Sequence, residues 1–359
     1  MSKKKSASFL QNTPKWLKFT APAGIAAILA TVVGNIWWQG ATAPVSSTPA
    51  EDIRIQIKPG MSAQSIGKEL VDRGLIRDGM AWRLWSTMRS RTGSGSLQTG
   101  TYNLSPNQSL PEIGERIWTG KVVQTGFTVK EAWTIDKMAK YFETEKKFFS
   151  AAEFVAATKK IPRDKFSWLP ANITNLEGFL YPDTYTLPTE GITPDAIITV
   201  MLKQFEQKAL PVYQQVGSTK YDLLQWVTLA SIIDREAVIA RERPLISGVF
   251  HNRLEKRMPL QSDPTVEYGL GISQTADRPL TFAEVKRPSP YNTYINPGLP
   301  PGPIGSPSLG SLEATLKPEA TEYIFFVAKY DGTHVFSRTL SEHNAATVSI
   351  RQQRNAGRQ

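Results

Sequence analysis

The feature that most constrains this chain is a stretch without Asp, Glu, Lys or Arg that begins at Phe19, runs apolar to Trp38 and stays uncharged to Ala50. As a helix rising about 1.5 Å per residue, roughly 20 such residues cross a hydrocarbon core of about 30 Å. Lys3, Lys4, Lys5, Lys15 and Lys18 precede the stretch, and Trp37 and Trp38 close it. Basic flanks stay in the cytoplasm and Trp suits the far interface. The expectation is a cytoplasmic arm over 1–18, a single transmembrane helix over 19–39 in the cytoplasmic (inner) membrane, and everything beyond it outside the cytoplasm. A cleaved signal peptide is the competing reading, with Ala41-Thr42-Ala43 as its small-residue site. Against it, the run exceeds the usual about 7–15 residues, and the ring of Pro44 would obstruct a peptidase just after the cut. A buried core helix is a third reading, weakened because little precedes residue 19 to pack around it.

A Pro/Ser/Thr-rich linker follows, within 40–51, and then Ile53-Arg54-Ile55-Gln56-Ile57 alternates as a half-buried strand does. From there a pattern repeats. Ile57-Lys58-Pro59-Gly60-Met61-Ser62 is followed by Ile66 and Leu70, Leu104-Ser105-Pro106-Asn107-Gln108-Ser109 by Ile113 and Ile117, and Val129-Lys130-Glu131-Ala132-Trp133-Thr134 by Met138 and Phe142. Each copy reads as strand end, turn, Ser or Thr N-cap and a short amphipathic helix. The unit resembles the LysM module, a small β-α-α-β carbohydrate-binding fold, and defines an expected LysM-like α/β domain over 52–145; recurrence of a common strand-turn-helix unit is the plainer alternative. Residues 146–175 read as a connector or lid broken at Pro162 and Pro170. Beyond it, 195–208 reads as an amphipathic helix, 221–243 as one long helix closed by Pro244, 287–307 as a Pro/Gly-rich loop, and 322–330 with 333–337 as a hairpin around Asp331-Gly332. The polar tail, 346–359, is expected to fray from Val348. The fold class is therefore α+β, with a catalytic domain over 146–345.

On a helical wheel of residues 221–243, Glu236 shares a stripe with Leu229, Ile232, Ile233 and Ala240. A carboxyl there is desolvated, which raises its pKa towards what a general acid needs near neutrality. Asp234 falls on an opposite stripe with Val227, Ala230, Ser231 and Val238, equally apolar, so the wheel does not choose. Either carboxylate could instead be structural, paired with Arg235, Arg241 or Arg243. Gln261-Ser262-Asp263-Pro264-Thr265 and Pro290-Tyr291-Asn292-Thr293-Tyr294 offer amides, hydroxyls and rings from loops, a composition suited to a sugar polymer, or else to turns and surface packing.

The chain has no cysteine, which excludes disulfides, thiolate metal sites and a thiol nucleophile. His251, His334 and His343 lack metal-ligand spacing, so no metal and no cofactor are expected. Nucleotide, dinucleotide and serine-hydrolase fingerprints are missing. The net charge of +10 favours acidic partners, but the basic residues are scattered rather than striped with aromatics, so nucleic acid is not among the expected ones.

Several long motifs in one order carry a resemblance. Ala230-Ser231-Ile232-Ile233-Asp234-Arg235-Glu236, Val249-Phe250-His251-Asn252-Arg253-Leu254, Leu260-Gln261-Ser262-Asp263-Pro264-Thr265-Val266, Tyr291-Asn292-Thr293-Tyr294, Gly298-Leu299-Pro300-Pro301-Gly302-Pro303-Ile304 and Glu177-Gly178-Phe179-Leu180-Tyr181-Pro182-Asp183-Thr184-Tyr185 together resemble the MltG (YceG-like) family of endolytic murein transglycosylases. The resemblance implies that Glu236, the last residue of the A-S-I-[IV]-E-[KR]-E motif, is the catalytic acid; Asp234 stands where the family usually has Glu. It implies cleavage between N-acetylmuramic acid and N-acetylglucosamine in nascent strands, 1,6-anhydro ends and an end to glycan elongation. Glu177, Tyr181, Asp183, Gln261, Asp263, Tyr291, Asn292 and Tyr294 are expected to hold the glycan. Peptidoglycan strands and the cytoplasmic membrane are the implied partners, with peptidoglycan synthases as candidates. A hydrolytic muramidase using Asp263 or Glu177 as base, a non-catalytic wall-binding scaffold and a nucleic-acid-binding membrane protein are the rival readings.

Overall fold

The computed structural model describes the backbone of residues 15–356 apart from 94, 218, 276–277 and 330, with side chains from residue 26 to 354. Its elements group into two units, Met1–Thr125 with Pro188–Glu190, and Gly126–Leu187 with Gly191–Gln359.

The first unit contains α1 (Lys15–Thr42), β1 (Ile53–Ile57), α2 (Ala63–Asp72), α3 (Gly79–Thr92), β2 (Gly100–Leu104) and α4 (Leu110–Trp118). β1 and β2 pair antiparallel, Ile53 opposite Leu104 and Ile57 opposite Gly100. Alternation turns Ile55 and Ile57 inward. There they meet Ile66 and Leu70 of α2, Trp82 and Trp85 of α3, and Ile113 and Ile117 of α4. The N-caps expected at Ser62 and Ser109 are present: the Ser62 hydroxyl accepts from the Ser65 N–H, and Ser109 forms a reciprocal capping box with Glu112.

The expected membrane span lies within α1, but the side chains of residues 19–25 and the arm before residue 15 lie outside the described ones. Among the described residues no helix is long and apolar enough to cross a membrane. The transmembrane helix expected from the sequence is thus not found there. From residue 26 onward the helix is shorter than the about 20 residues a span requires. Its last turns are also committed elsewhere, since Trp38 and Ala41 pack on the core of the unit.

The second unit takes up the chain along β3 (Gln124–Thr128) and continues through α5 (Ile135–Thr144), α6 (Ala151–Thr158), β4 (Thr184–Pro188), α7 (Pro194–Lys208), α8 (Leu210–Gln215), α9 (Leu223–Glu236), α10 (Arg243–Glu255), α11 (Asp263–Leu270), α12 (Leu309–Leu316), β5 (Phe325–Ala328), β6 (His334–Ser337) and α13 (Leu340–Ala356). β3 pairs with β4, and β5 with β6 in the expected hairpin, Phe325 opposite Ser337. The mixed α+β class expected from the sequence is what the elements form. Thr134 caps α5 as expected, accepting from the Lys137 N–H. This third copy of the repeat packs in the second unit, where Ile135, Met138 and Phe142 join its core.

α9 runs through the middle of that core, with every residue from Trp226 to Asp234 buried. Burial all round explains why neither stripe of its wheel could be preferred. Three expectations are corrected here. The helix drawn over 221–243 ends at Glu236, because Ala237 turns out to φ −83°, ψ 105°; Pro244 instead sits in the first turn of α10, where its missing N–H costs nothing. Residues 146–175 are no lid, since Phe154, Phe166 and Leu169 are buried in the core. The tail does not fray at Val348: α13 continues to Ala356 and buries Ile350.

Residues 287–308 form neither helix nor strand, as expected, yet Asn292, Thr293, Ile304 and Ser306 in this loop are buried. One contact shows how closely the loop is drawn in. Gly178, at φ +83°, lies where a Cβ would fall 2.4 Å from Cβ of Pro303, so only glycine fits both the backbone and the approach.

Candidate active site

Glu236 is the last residue of α9, at the point where the backbone leaves the helix. Its Oε1 accepts a 2.6 Å hydrogen bond from the hydroxyl of Ser262. Ser262 is the N-cap residue of α11, yet its hydroxyl makes no capping bond there. It is held instead through its backbone: its N–H donates to Thr293 Oγ1 at 3.0 Å, its carbonyl accepts from Thr265 Oγ1 at 2.6 Å, and the two threonine hydroxyls meet at 2.8 Å. The hydroxyl is thus aimed at the carboxyl by a buried network that cannot easily relax.

Burial pushes the Glu236 carboxyl up to about 7, aided by the negative charges of Asp263 and Glu267 and opposed by the Ser262 hydrogen bond and the Arg235 guanidinium. The neighbouring carboxylates are each engaged. Arg235 pairs with Glu267 at 2.8 Å, and the other Glu267 oxygen accepts from the Gln274 N–H at 2.6 Å. Asp263 accepts from Tyr294 at 2.6 Å.

Asp234, two residues before Glu236, points the other way. Its side chain is 1% exposed, 3.5 Å from Nη2 of Arg243, and accepts from the hydroxyls of Ser308 and Ser311 at the start of α12. One helix therefore carries a carboxylate whose Oδ1 accepts from two buried hydroxyls and another whose Oε1 accepts from one.

The other candidates are placed as follows. Gln261, at φ +53°, accepts from Arg253 Nη1 at 3.2 Å and precedes Ser262. Asn292 is wholly buried and ties its loop together, donating to the carbonyls of Val285 and Arg287 and accepting from the Tyr294 N–H. Tyr291 packs on Tyr268, ring centroids 4.8 Å apart, and Tyr268 donates to Glu177 at 3.1 Å. Glu177 is buried at the N-terminus of α5, accepting from the Ile135 N–H at 3.2 Å to each oxygen, and burial pushes its carboxyl up to about 7. Tyr181 and Asp183 belong to a separate cluster: Tyr185 donates to the Tyr181 carbonyl, and Gln204 to Asp183 at 2.6 Å. Sequence reasoning missed Ser262 as a partner of Glu236, Glu267 and Thr293 as the groups around that pair, and Tyr268 as the partner of Glu177. Ser262 stood in a quoted motif, but nothing local marks where its hydroxyl goes.

A cleft of about 1000 Å³ adjoins the end of α9, with Trp133, Asp234, Arg235, Ala237, Glu267 and Tyr268 in its walls, so that it is lined by the residues on either side of Glu236 rather than by Glu236 itself. It mixes charged, amide and aromatic groups, the pattern of a site for a polar, ring-bearing ligand. Among the described residues no group of His, Asp and Glu could hold a metal ion. The histidines are engaged separately, His251 with the Ser247 carbonyl, His334 with Glu242 and His343 against the Phe325 ring.

Comparison with known proteins gives a consistent set of likenesses. A profile of the YceG-like family matches residues 55–349. An endolytic murein transglycosylase of Bacillus subtilis is 33% identical over 322 residues, covering 84% of this chain and 86% of that protein. One of Streptococcus pneumoniae is 28% identical over 331 residues, covering 84% of this chain but 59% of its own length. A crystal structure of a yceG-like protein from Listeria monocytogenes superposes with a TM-score of 0.56 at 32% identity, over 83% of this chain and 100% of that one.

Proposed function

The chain belongs to the YceG-like family, and from that membership we propose that it is a lytic transglycosylase that cuts peptidoglycan strands internally, with Glu236 as its acid. The observation that carries the reading is Glu236 itself: a carboxyl at a helix end beside a polar cleft, kept protonated to about pH 7 by burial. With Oε1 engaged by Ser262, Oε2 is the oxygen left to carry the transferable proton. Glu236 donates it to the oxygen joining N-acetylmuramic acid to N-acetylglucosamine. The resulting carboxylate then takes the proton of the muramic 6-hydroxyl as that oxygen closes on its own C1, leaving a 1,6-anhydro end. The nucleophile belongs to the substrate, so proximity replaces an activated water.

A hydrolytic muramidase would need a second carboxylate to activate water. The candidates are poorly disposed for it: Glu177 is closed in by Ile135 and Tyr268, and Asp263 is bound by Tyr294. That favours one carboxyl doing both proton transfers. Newly made strands at the outer face of the cytoplasmic membrane are the proposed place of action, with synthases as neighbours. The exposed Ile28, Leu29, Val32, Val33 and Ile36 of α1, preceded by the lysines of the arm, support an anchor there. The β-α-α-β order of β1, α2, α3 and β2 supports a LysM-like role for the first unit.

The pH dependence tests the assignment. The active form is the protonated acid, so kcat/KM for strand cutting is expected to fall as pH rises through about 7, losing one proton. In Ser262→Ala the hydrogen bond that favours the carboxylate is gone, so this limb moves to higher pH. A limb that stays put in the variant, or activity that rises through pH 7, contradicts the role given to Glu236.

A further inference from the structure

α3 presents two different faces. Ala81, Trp82, Trp85 and Ser86 are buried in the first unit, while Met80, Leu84 and Met88 stand on the opposite side at 71%, 43% and 43% exposure. Spaced four apart, these three form one stripe along the helix. Single exposed apolar residues are ordinary, but a continuous aliphatic stripe marks a contact surface. Its charge is one-sided. α3 contains no Asp or Glu, and Arg83 and Arg91 are exposed on the same face, without an ion pair among the described residues. Of the acids near α3, Asp78 at its N-cap accepts from the N–H groups of Met80 and Ala81, and Glu115 is paired with Arg89 at 2.6 Å.

We propose that the Met80, Leu84 and Met88 face of α3 rests on an anionic lipid surface, its aliphatic side chains entering the interface and Arg83 and Arg91 meeting headgroup phosphates. The inference rests on the membrane placement proposed above. An amphipathic helix with a basic polar margin is what such a surface selects. A glycan would select otherwise, because sugars are gripped by exposed aromatic rings, and the tryptophans of α3 face inward. Val71 of α2, 37% exposed, is 3.8 Å from where a Cβ on Gly79 would lie and extends the apolar patch at the start of the helix.

The chain has no cysteine, so one introduced residue can be labelled cleanly. The full chain carrying Leu84→Cys with an environment-sensitive fluorophore is reconstituted into vesicles of neutral lipid, or of neutral lipid with phosphatidylglycerol. Glu206→Cys, on the exposed face of α7, serves as control. Flotation first establishes that the chain is vesicle-bound. The proposal expects a blue-shifted probe at position 84, quenched by brominated lipid on the anionic vesicles, and an unshifted control. Adding Arg83→Glu or Arg91→Glu is expected to reduce the docked fraction by about fivefold each. A chain that floats while its probe at 84 stays water-like overturns the proposal alone. A chain that fails to float overturns the membrane placement with it. A probe indifferent to lipid but shifted by added glycan strands assigns the face to the wall polymer and equally overturns it.

Discussion

Glu236→Gln is expected to lower the initial rate of strand cutting on purified peptidoglycan by on the order of 10³–10⁴-fold, at no loss of stability. Glutamine keeps the shape of the side chain, and its amide oxygen can still accept the Ser262 hydroxyl now 2.6 Å from Oε1. What it cannot do is give up a proton and take one back, and the mechanism asks both of this one residue. The substitution also removes a buried carboxyl that must charge above about pH 7, so the folded protein at pH 8 should be no less stable than the wild type. Thermal unfolding alongside the rate measurement checks both halves. Residual activity within tenfold of wild type would move the acid elsewhere.

The reverse pattern is expected for Asp234→Ala, two residues away on the same helix. This carboxylate accepts from Ser308 and Ser311 and lies 3.5 Å from Arg243, with its side chain 1% exposed. Removing it takes the shared acceptor from two buried hydroxyls, which keep each other at 3.2 Å, and one of the carboxylates from a partly buried guanidinium, losses that are costly in a buried site. Arg243 keeps a second partner, Glu131 at 3.1 Å, which limits the loss. A destabilisation of about 2–4 kcal/mol follows, lowering Tm by roughly 5–10 °C for a domain of this size. The folded fraction should still cut strands within a few-fold of wild type, since Asp234 is held by Ser308 and Ser311 and neither proton transfer is assigned to it, although it borders the cleft. An unchanged Tm would show that the Ser308 and Ser311 contacts contribute little.

This pair of residues also shows where the sequence is legible and where it stops. Local signals were reliable: the caps at Ser62, Ser109 and Thr134, the alternation of Ile53, Ile55 and Ile57, and the hairpin of β5 and β6 all stand where short-range rules put them. The end of α9 was not legible. Ala237, Val238, Ile239 and Ala240 are all compatible with a helix, and no local stop signal marks the break after Glu236. With both faces of α9 buried, periodicity had no solvent side to read, and the choice of Glu236 over Asp234 came from the family resemblance.

The wider site was legible as a set of motifs and not as a geometry. Gln261, Asp263 and Tyr294 do gather at the start of α11, but Tyr291 packs further along it on Tyr268 and Asn292 is spent on the carbonyls of Val285 and Arg287. Glu177, Tyr181 and Asp183 lie within seven residues of one another in sequence and still part company, Glu177 turning to α5 and Tyr268, Asp183 to Gln204 on α7. The turn at Gly178 separates them. Ser262 illustrates the same limit: a serine before Asp-Pro reads as a helix cap, and only the assembled fold sends its hydroxyl to Glu236.

The most direct test is mass spectrometry of the fragments released from peptidoglycan by wild type and by Glu236→Gln. The proposed mechanism yields 1,6-anhydro-muramic ends from wild type and none from the variant. Reducing muramic ends from wild type would mean that water, and not the 6-hydroxyl of the sugar, attacks C1, and would contradict it.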